Sequence, residues 1–181
     1  MRFERTSLDG AWVIDLDRMP DERGAFARTY CDTEFAAHGL PTQFPQCNMS
    51  ENTRAGTLRG MHFNITAFAE SKFLRCVRGA IYDVIVDLRR ASPTYGKWIG
   101  IELSAENGRA LFVPEGFAHG FLTLRDGTDV YYHMGAAFQP HAARGFRWND
   151  PEFQIEWPSQ PTVMSERDAT YLDFVPTLLE G

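Results

Sequence analysis

Residues 72–90 read KFLRCVRGAIYDVIVDLRR, and this stretch indicates the fold class. It contains two short runs rich in Val, Ile, Phe and Tyr, separated by Arg78-Gly79, and this pattern predicts a β-hairpin. In the second run, positions 81, 83, 85 and 87 alternate with positions 82, 84, 86 and 88, so one strand face is wholly apolar and the other carries two aspartates. The centre of the chain is therefore expected to be β-sheet.

The flanking sequence extends this pattern in both directions. Turn residues (Gly, Pro, Asn and Asp) separate the strand-like runs, which is typical of an antiparallel sandwich or barrel. Two short helices are expected, one over residues 32–39 with Asp at its start and Gly at its end, and one beginning at Ser165. The chain is expected to be a single domain over 1–181, with a loose tail over 177–181. The further predicted strands are 11–17, 57–63, 98–103, 110–113, 120–124 and 130–134.

Composition and charge exclude several classes of protein. Of the 181 residues, 44% are hydrophobic, which is enough for a real core and argues against disorder. The formal net charge of −6 argues against a general binder of nucleic acid or of anionic membranes, so neither partner is expected. A phosphorylated small molecule would have to be held by a few locally gathered Arg and Lys side chains.

Cysteine usage and the N-terminal stretch bear on location. Cys31, Cys47 and Cys76 are odd in number and widely spaced, which indicates neither a disulfide framework nor a zinc knuckle. The first residues contain no long apolar segment, and no run approaches 18 apolar residues, so neither a signal peptide nor a membrane span is expected. The expected location is the cytoplasm.

The string TLRGMHFN (57–64) places polar side chains within strand-like sequence. Arg59 and His62 are three positions apart, so a regular strand would place them on opposite faces. Gly60 lies between them and permits a β-bulge, which would bring both side chains to one face. This string is therefore a candidate part of a functional site.

Further polar residues occur in two other strands and at the head of the central run. The string VPEGFAHGF contains His119, and in DVYYHMG the side chain of Tyr132 faces away from those of Tyr131 and His133. Lys72 begins the central run. Each residue alone fits a structural role. Burying all of them inside a barrel would cost free energy unless they took part in function or were paired with other polar groups. Their joint presence indicates a site inside the barrel.

A metal centre is an alternative interpretation of the same residues. Small β-barrels of the cupin type often hold a metal through His-x-His, a downstream Glu and a later His. Here the first motif is incomplete, since His62-Phe63-Asn64 offers one imidazole, although Glu70 and His119 could supply further ligands. No Ser or Cys lies in a motif typical of a catalytic nucleophile.

Taken together, the motifs resemble the dTDP-4-dehydrorhamnose 3,5-epimerase family of nucleotide-sugar enzymes. The resemblance extends from about residue 10 to about residue 170, and the strings LRGMHF, SPTYGKW and PEGFAHGF are highly specific. The strings that carry it are DERGAF (21–26), QCNMS (46–50), GTLRGMHFN (56–64), ESKFLR (70–75), RGAIYDVIVDLRRASPTYGKW (78–98), VPEGFAHGF (113–121), VYYHM (130–134), RWNDP (147–151), IEWP (155–158) and MSERDA (164–169).

This resemblance implies an all-β, cupin-like jelly-roll barrel with a few short helices, and a homodimer with strand exchange. It implies inversion of C3 and C5, or of C3 alone, in a nucleotide-linked 4-keto-6-deoxy hexose, with dTDP-4-dehydro-6-deoxyglucose as the expected substrate. No cofactor and no metal are expected for this reaction. The alternatives are a metal-dependent cupin oxygenase or isomerase and a sugar-binding barrel without turnover.

The resemblance also implies roles for individual residues. His62 matches the general base, Asp168 the carboxylate that pairs with it, and Lys72 the lysine that stabilises the enolate oxygen. Tyr132 matches the general acid on the opposite face of the sugar. The positions that match substrate-binding residues are Arg23, Phe26, Gln46, Asn48, Arg59, His119, Phe138 and Arg167.

Overall fold

The computed structural model describes residues 1–180, which fold mainly into antiparallel β-sheet. The strands are β1 (Arg2–Arg5), β2 (Trp12–Asp15), β3 (Met19–Asp21), β4 (Gly24–Phe26), β5 (Gln46–Asn52), β6 (Leu58–Asn64), β7 (Lys72–Arg78), β8 (Ala80–Asp87), β9 (Trp98–Ser104), β10 (Ala110–Val113), β11 (Phe117–Thr123), β12 (Thr128–Met134) and β13 (Ala143–Gly145). The α-helices are α1 (Asp32–Ala37) and α2 (Glu166–Ala169), and 3-10 helices occupy Thr66–Phe68 and Pro176–Leu179.

Two sheets face each other across an apolar interior. One has six strands in the order β1-β2-β10-β7-β12-β5, and the other has five in the order β13-β6-β11-β8-β9. Strands β3 and β4 form a separate two-stranded sheet. This arrangement confirms the expected cupin-like jelly-roll barrel. The side chains that fill the space between the sheets include Val13, Leu74, Ile81, Ile85, Leu103, Leu111, Phe117, Phe121 and Val130.

Each sheet is also covered on its outer face. Phe35 of α1 packs with Trp12 and Phe73 against the outside of the six-stranded sheet. Phe146 and Phe174, from the C-terminal part of the chain, belong to the cluster on the outside of the five-stranded sheet. Burial on both faces explains why the central run is so rich in apolar residues at successive positions.

The hairpin predicted over residues 72–90 is wrong, although both strands are present. β7 pairs with β10 and β12 in the six-stranded sheet, whereas β8 pairs with β11 and β9 in the other sheet. Only Gly79 separates the two strands, and its φ of 72° turns the chain from one sheet to the other. A Cβ atom at this position would lie 2.3 Å from Oγ1 of Thr128. The alternating pattern indicates strands but does not show to which sheet each one belongs.

The helix predictions are confirmed with one shift. Ser165 caps α2, since its Oγ accepts a hydrogen bond of 3.1 Å from the backbone N of Asp168. Gly39 follows α1 with a φ of 70°, as a glycine at a helix C-terminus commonly does. The N-terminal cap position of α1 is Cys31, whereas Asp32 is already the first helical residue.

The bulge predicted at Gly60 is confirmed. His62 pairs with His119 and Arg59 with Phe121, so β6 uses three steps where β11 uses two. Gly60 has a φ of 124°, which is readily adopted only by glycine, and a Cβ there would lie 2.5 Å from Cα of Gly120. The extra residue brings Arg59 and His62 to the same side of the strand.

The C-terminal end packs against the barrel as far as it is described. Residues 177–179, expected to be part of a loose tail, lie in the 3-10 helix Pro176–Leu179. Leu179 is buried, and Thr66 Oγ1 donates a hydrogen bond of 3.0 Å to its carbonyl oxygen. Among residues 1–180, none of the helices has the length and apolar character that crossing a membrane requires.

We expect replacement of Asp87 by asparagine to lower the free energy of unfolding by about 1.5–3 kcal/mol, the usual contribution of hydrogen bonds to a charged group. Burial alone would raise the pKa of Asp87, but hydrogen bonds from Arg89, Ser92 and Thr94 lower it on balance. The carboxylate therefore stabilises the fold fully above the unfolded pKa of about 3.9, and this contribution is lost as the pH falls through the folded value.

Urea unfolding of both proteins in steps from pH 7 to pH 3 checks this prediction. The difference in stability between the wild type and D87N is expected to narrow towards the acid end. A difference that stays constant over this range would contradict it.

Candidate active site

A cavity of about 250 Å³ opens between the two sheets. A second hollow of about 240 Å³ adjoins it and shares Asn48, His62, Lys72 and Met134, so the two form one continuous cleft. The structure brings most of the predicted site residues to this cleft. Those that line it are Gln46, Asn48, Arg59, His62, Lys72, His119, Tyr132, Phe138 and Arg167.

His62 and Asp168 form a hydrogen-bonded pair at the wall provided by the five-stranded sheet. Nε2 of His62 lies 2.7 Å from Oδ1 of Asp168, and the backbone N of Gly60 donates to Oδ2 at 3.3 Å. Burial alone would raise the pKa of Asp168, but the hydrogen bonds from His62 and Gly60 lower it on balance. Because an ionised carboxylate can only accept hydrogen bonds, Nε2 carries a hydrogen, and in the neutral imidazole the lone pair is therefore on Nδ1.

Lys72 and Arg59 bring positive charge to the cleft. Lys72 begins β7, and its Nζ lies 3.5 Å from Oε1 of Glu70, with both side chains only 12% exposed. Arg59 is oriented by Asn52, whose Oδ1 accepts a hydrogen bond of 2.8 Å from Nε. These two cations lie on different sheets and give the cleft local positive charge, although the net charge of the protein is negative.

Tyr132 enters the cleft from the six-stranded sheet, on the side facing His62. As predicted, it lies on the opposite face of β12 from Tyr131 and His133, whose rings pack against each other 5.0 Å apart on the outside. The rings of His119 and Tyr132 pack edge to face, with their centroids 6.1 Å apart. Burial, followed by the charge of Asp83, raises the pKa of Tyr132 well above its ordinary value. The phenol therefore holds its proton strongly.

The outer part of the cleft is polar and positively charged. Gln46 accepts a hydrogen bond of 3.1 Å from the backbone N of Phe138 and donates one of 3.0 Å to Asn48. Arg167 lines this part together with Arg144, which is held by a hydrogen bond of 2.8 Å to the carbonyl oxygen of His141. Two guanidinium groups beside amide side chains can bind an anionic, hydrogen-bonding ligand.

Of the three predicted residues that do not line the cleft, Asp168 is connected to it through His62, whereas Arg23 and Phe26 lie apart from it. They lie in a protruding hairpin formed by β3, β4 and their turn, which we call the arm (residues 19–26). Every residue of the arm is exposed, including Phe26 at 69%. The Arg23 side chain donates hydrogen bonds to the carboxylate of Asp21, two positions away in the same hairpin.

The ligands weighed for a metal centre are engaged elsewhere. His62 bonds to Asp168, Glu70 lies beside Lys72, and His119 bonds to Asp83. Within the part of the chain that the structure describes, no three His, Cys, Asp or Glu side chains converge on a point where they could hold a metal ion.

Sequence reasoning missed Asp83 and Arg144. A signal for Asp83 was present, because it is a charged residue between Ile81 and Ile85 on a strand whose neighbours are apolar. For Arg144 the sequence offers no comparable signal. It lies in β13, a strand of three residues that alternation cannot reveal.

Comparison with known proteins places this architecture among sugar-nucleotide enzymes. The family model described as dTDP-4-dehydrorhamnose 3,5-epimerase matches residues 5–175. The dTDP-4-dehydrorhamnose 3,5-epimerase of Methanothermobacter thermautotrophicus is 44% identical over 173 residues, which cover 94% of this chain and 92% of the relative.

Solved structures show the same likeness. The dTDP-6-deoxy-D-glucose-3,5-epimerase of Legionella pneumophila, in complex with dTDP-4-keto-L-rhamnose, has a TM-score of 0.89 and 32% identity, with 95% of this chain and 92% of that chain covered. A 3'-monoepimerase from Streptomyces bikiniensis, in complex with dTDP-quinovose, has a TM-score of 0.86 and 30% identity, with 93% and 85% covered.

Proposed function

Because this chain belongs to the dTDP-4-dehydrorhamnose 3,5-epimerase family, we propose that it inverts C3 and C5 of a nucleotide-linked 4-keto-6-deoxy hexose, with dTDP-4-dehydro-6-deoxyglucose as the substrate. The observation that carries the proposal is the position of His62 and Tyr132. They extend into one cleft from opposite sheets, one as part of a carboxylate–imidazole pair and the other as a strongly protonated phenol. Inversion at carbon requires a base on one face and an acid on the other.

The first step assigned to His62 is removal of a proton next to the keto group. A 4-keto group makes the hydrogens at C3 and C5 weakly acidic, because loss of either gives an enolate. Nδ1 of His62 supplies the lone pair, and Asp168 holds the ring and stabilises the imidazolium that forms. The hydrogen bond of 2.7 Å between His62 and Asp168 supports this assignment.

Lys72 is proposed to stabilise the negative charge that develops on the enolate oxygen. Its side chain is 12% exposed, so the ammonium group acts where little water screens it. Glu70, 3.5 Å away, is the carboxylate that accompanies it before substrate arrives. An ammonium group fixed in the cleft needs no reorganisation when charge appears on the oxygen.

Tyr132 is proposed to return a proton to the carbon from the face opposite His62. Burial and the charge of Asp83 raise its pKa, so the phenol stays protonated at neutral pH until a strongly basic carbanion-like carbon is present. Loss of a proton to His62 and gain of one from Tyr132 together invert the centre. Solvent resets both groups after each inversion.

The nucleotide part of the substrate is assigned to the outer cleft. Arg59 and Arg167 are proposed to bind the diphosphate, and Gln46, Asn48 and Phe138 to contact the remainder of the nucleotide. The location of these residues around one cleft supports the assignment. Guanidinium groups suit phosphate oxygens because they donate paired hydrogen bonds in one plane.

We propose that the chain forms a homodimer with strand exchange, in which the arm of each copy pairs with the other copy. All residues of the arm are exposed, and β5 is the last strand of the six-stranded sheet, with one edge unpaired in the described chain. Gln46 and Asn48 on β5 line the cleft, so an arm added to this edge of a second copy would bring Arg23 and Phe26 to the partner's site.

The cytoplasm is the proposed location, in keeping with three free cysteines.

Incubation with dTDP-4-dehydro-6-deoxyglucose in D2O tests the proposed function. Deuterium is expected at both C3 and C5 of the product, while incorporation at C3 alone would limit the enzyme to one inversion. Treatment with EDTA is expected to leave the rate unchanged. If no exchange occurs with any nucleotide form of this sugar, the proposed function is wrong. A rate abolished by EDTA and restored by a divalent metal would favour the metal-dependent alternative.

A further inference from the structure

Asp83 is a buried carboxylate that bonds to His119, a residue of the cleft, and the assigned chemistry leaves it without a role. Its exposure is 0%, and it lies on β8 among apolar neighbours. Oδ1 is 2.8 Å from Nε2 of His119, whose side chain is only 7% exposed. Oδ2 is buried as well, and within residues 1–180 it accepts no hydrogen bond.

Such a group costs stability. A buried oxygen without a donor forfeits its hydration and gains nothing in return, which native proteins rarely tolerate without a functional reason. Asp87, on the same strand and equally buried, shows the contrast. Both of its oxygens accept hydrogen bonds, from Arg89, Ser92 and Thr94, so it is fully explained as a structural residue.

The surroundings of Asp83 connect it to the proton-donating side of the cleft. Its bond fixes Nε2 of His119, and the edge of that ring meets the ring of Tyr132 at 79°. Burial raises the pKa of Asp83, against the opposing charges of His119 and Lys72, while Asp83 in turn raises the pKa of Tyr132. Asp83 thus contacts His119 directly and acts on Tyr132 electrostatically.

We propose that Asp83 is a positioning residue for the proton donor: it holds His119 in one orientation, and this ring keeps the phenol of Tyr132 aligned with the carbon that is to be protonated. The inference rests on the proposed function, because it assigns the acid side of the same reaction. The cleft then contains two imidazole–carboxylate pairs with different tasks. His62, paired with Asp168, removes the proton from carbon. His119, paired with Asp83, orients Tyr132, which supplies the new proton.

The test compares two rates in D2O with dTDP-4-dehydro-6-deoxyglucose: net inversion, and deuterium exchange without inversion. In D83N the base side is intact, so exchange is expected to persist while inversion falls about 10- to 100-fold, the range seen when the carboxylate partner of a metal-binding histidine is replaced. D87N is the matched control and is expected to keep the wild-type ratio of inversion to exchange. A combined D83N/H119Q protein is expected to show no further fall in this ratio than H119Q alone, because Asp83 acts through His119.

The outcomes separate this inference from the proposed function. If the wild type neither exchanges nor inverts, the proposed function fails. If the wild type inverts but D83N keeps the wild-type ratio, or loses exchange and inversion in parallel, Asp83 is a structural residue and the inference is overturned. Thermal unfolding reports whether D83N folds. If it does not, H119Q decides, since an unchanged ratio in that protein overturns the inference and a lowered one supports it.

Discussion

Replacement of His62 by asparagine is expected to abolish deuterium incorporation at both C3 and C5, with a loss of at least about 10²–10⁴-fold in epimerisation, the usual contribution of a general base. Asparagine is close in size to histidine and can still bond to Asp168, but its amide nitrogen has no basic lone pair. Both carbons are affected because the same base serves each inversion. Mass spectrometry of the sugar after incubation in D2O measures the effect.

H38N is a suitable control for this experiment. His38 is an exposed histidine after α1, stacked on Phe3 at 4.0 Å and outside the residues that line the cleft. Its replacement is expected to leave exchange unchanged. Should H62N still incorporate deuterium at either carbon at the wild-type rate, another group is the base at that carbon and the assignment of His62 fails there.

Replacement of Tyr132 by phenylalanine is expected to reduce net inversion about 10²–10⁴-fold while some exchange of deuterium continues. The proton donor is lost, but His62 can still remove a proton and return deuterium to the same face. The product analysis is therefore expected to show labelled starting material. Nuclear magnetic resonance of the recovered sugar distinguishes label with retained configuration from label with inverted configuration.

The neighbouring tyrosine provides the matched control. Tyr131 lies on the outer face of β12 beside His133, so Y131F removes the same hydroxyl group from the same strand without altering the cleft. It is expected to keep both exchange and inversion. Equal and complete loss of both processes in Y132F would refute the separate roles of His62 and Tyr132.

Much of the site follows from local rules of strand geometry. Side chains alternate along a strand, so Tyr132 could be separated from Tyr131 and His133 by counting alone. Glycine tolerates conformations that other residues avoid, so Gly60 indicated the bulge that brings Arg59 beside His62. Both conclusions need only a few successive residues, and the structure agrees with both.

Other features depend on contacts that are distant in sequence. Gly79 looks like part of a hairpin turn, but whether the chain folds back or crosses to the other sheet depends on β10 and β12, which already occupy both edges of β7. The partner of Asp83 is His119, 36 positions along the chain, and nothing near either residue specifies the pairing. Arg23 and Phe26 lie away from the cleft of their own chain, so their assignment depends on a second copy.

The bulge in β6 also limits how this protein can change over generations. Deleting or adding one residue near Gly60 would shift the register of one half of β6 by one residue. Either Arg59 or His62 would then point to the outer face of the sheet. A larger residue at the same point would collide with Gly120. Evolution can therefore alter the reaction through substitutions around the sugar, but β6 does not tolerate insertions or deletions.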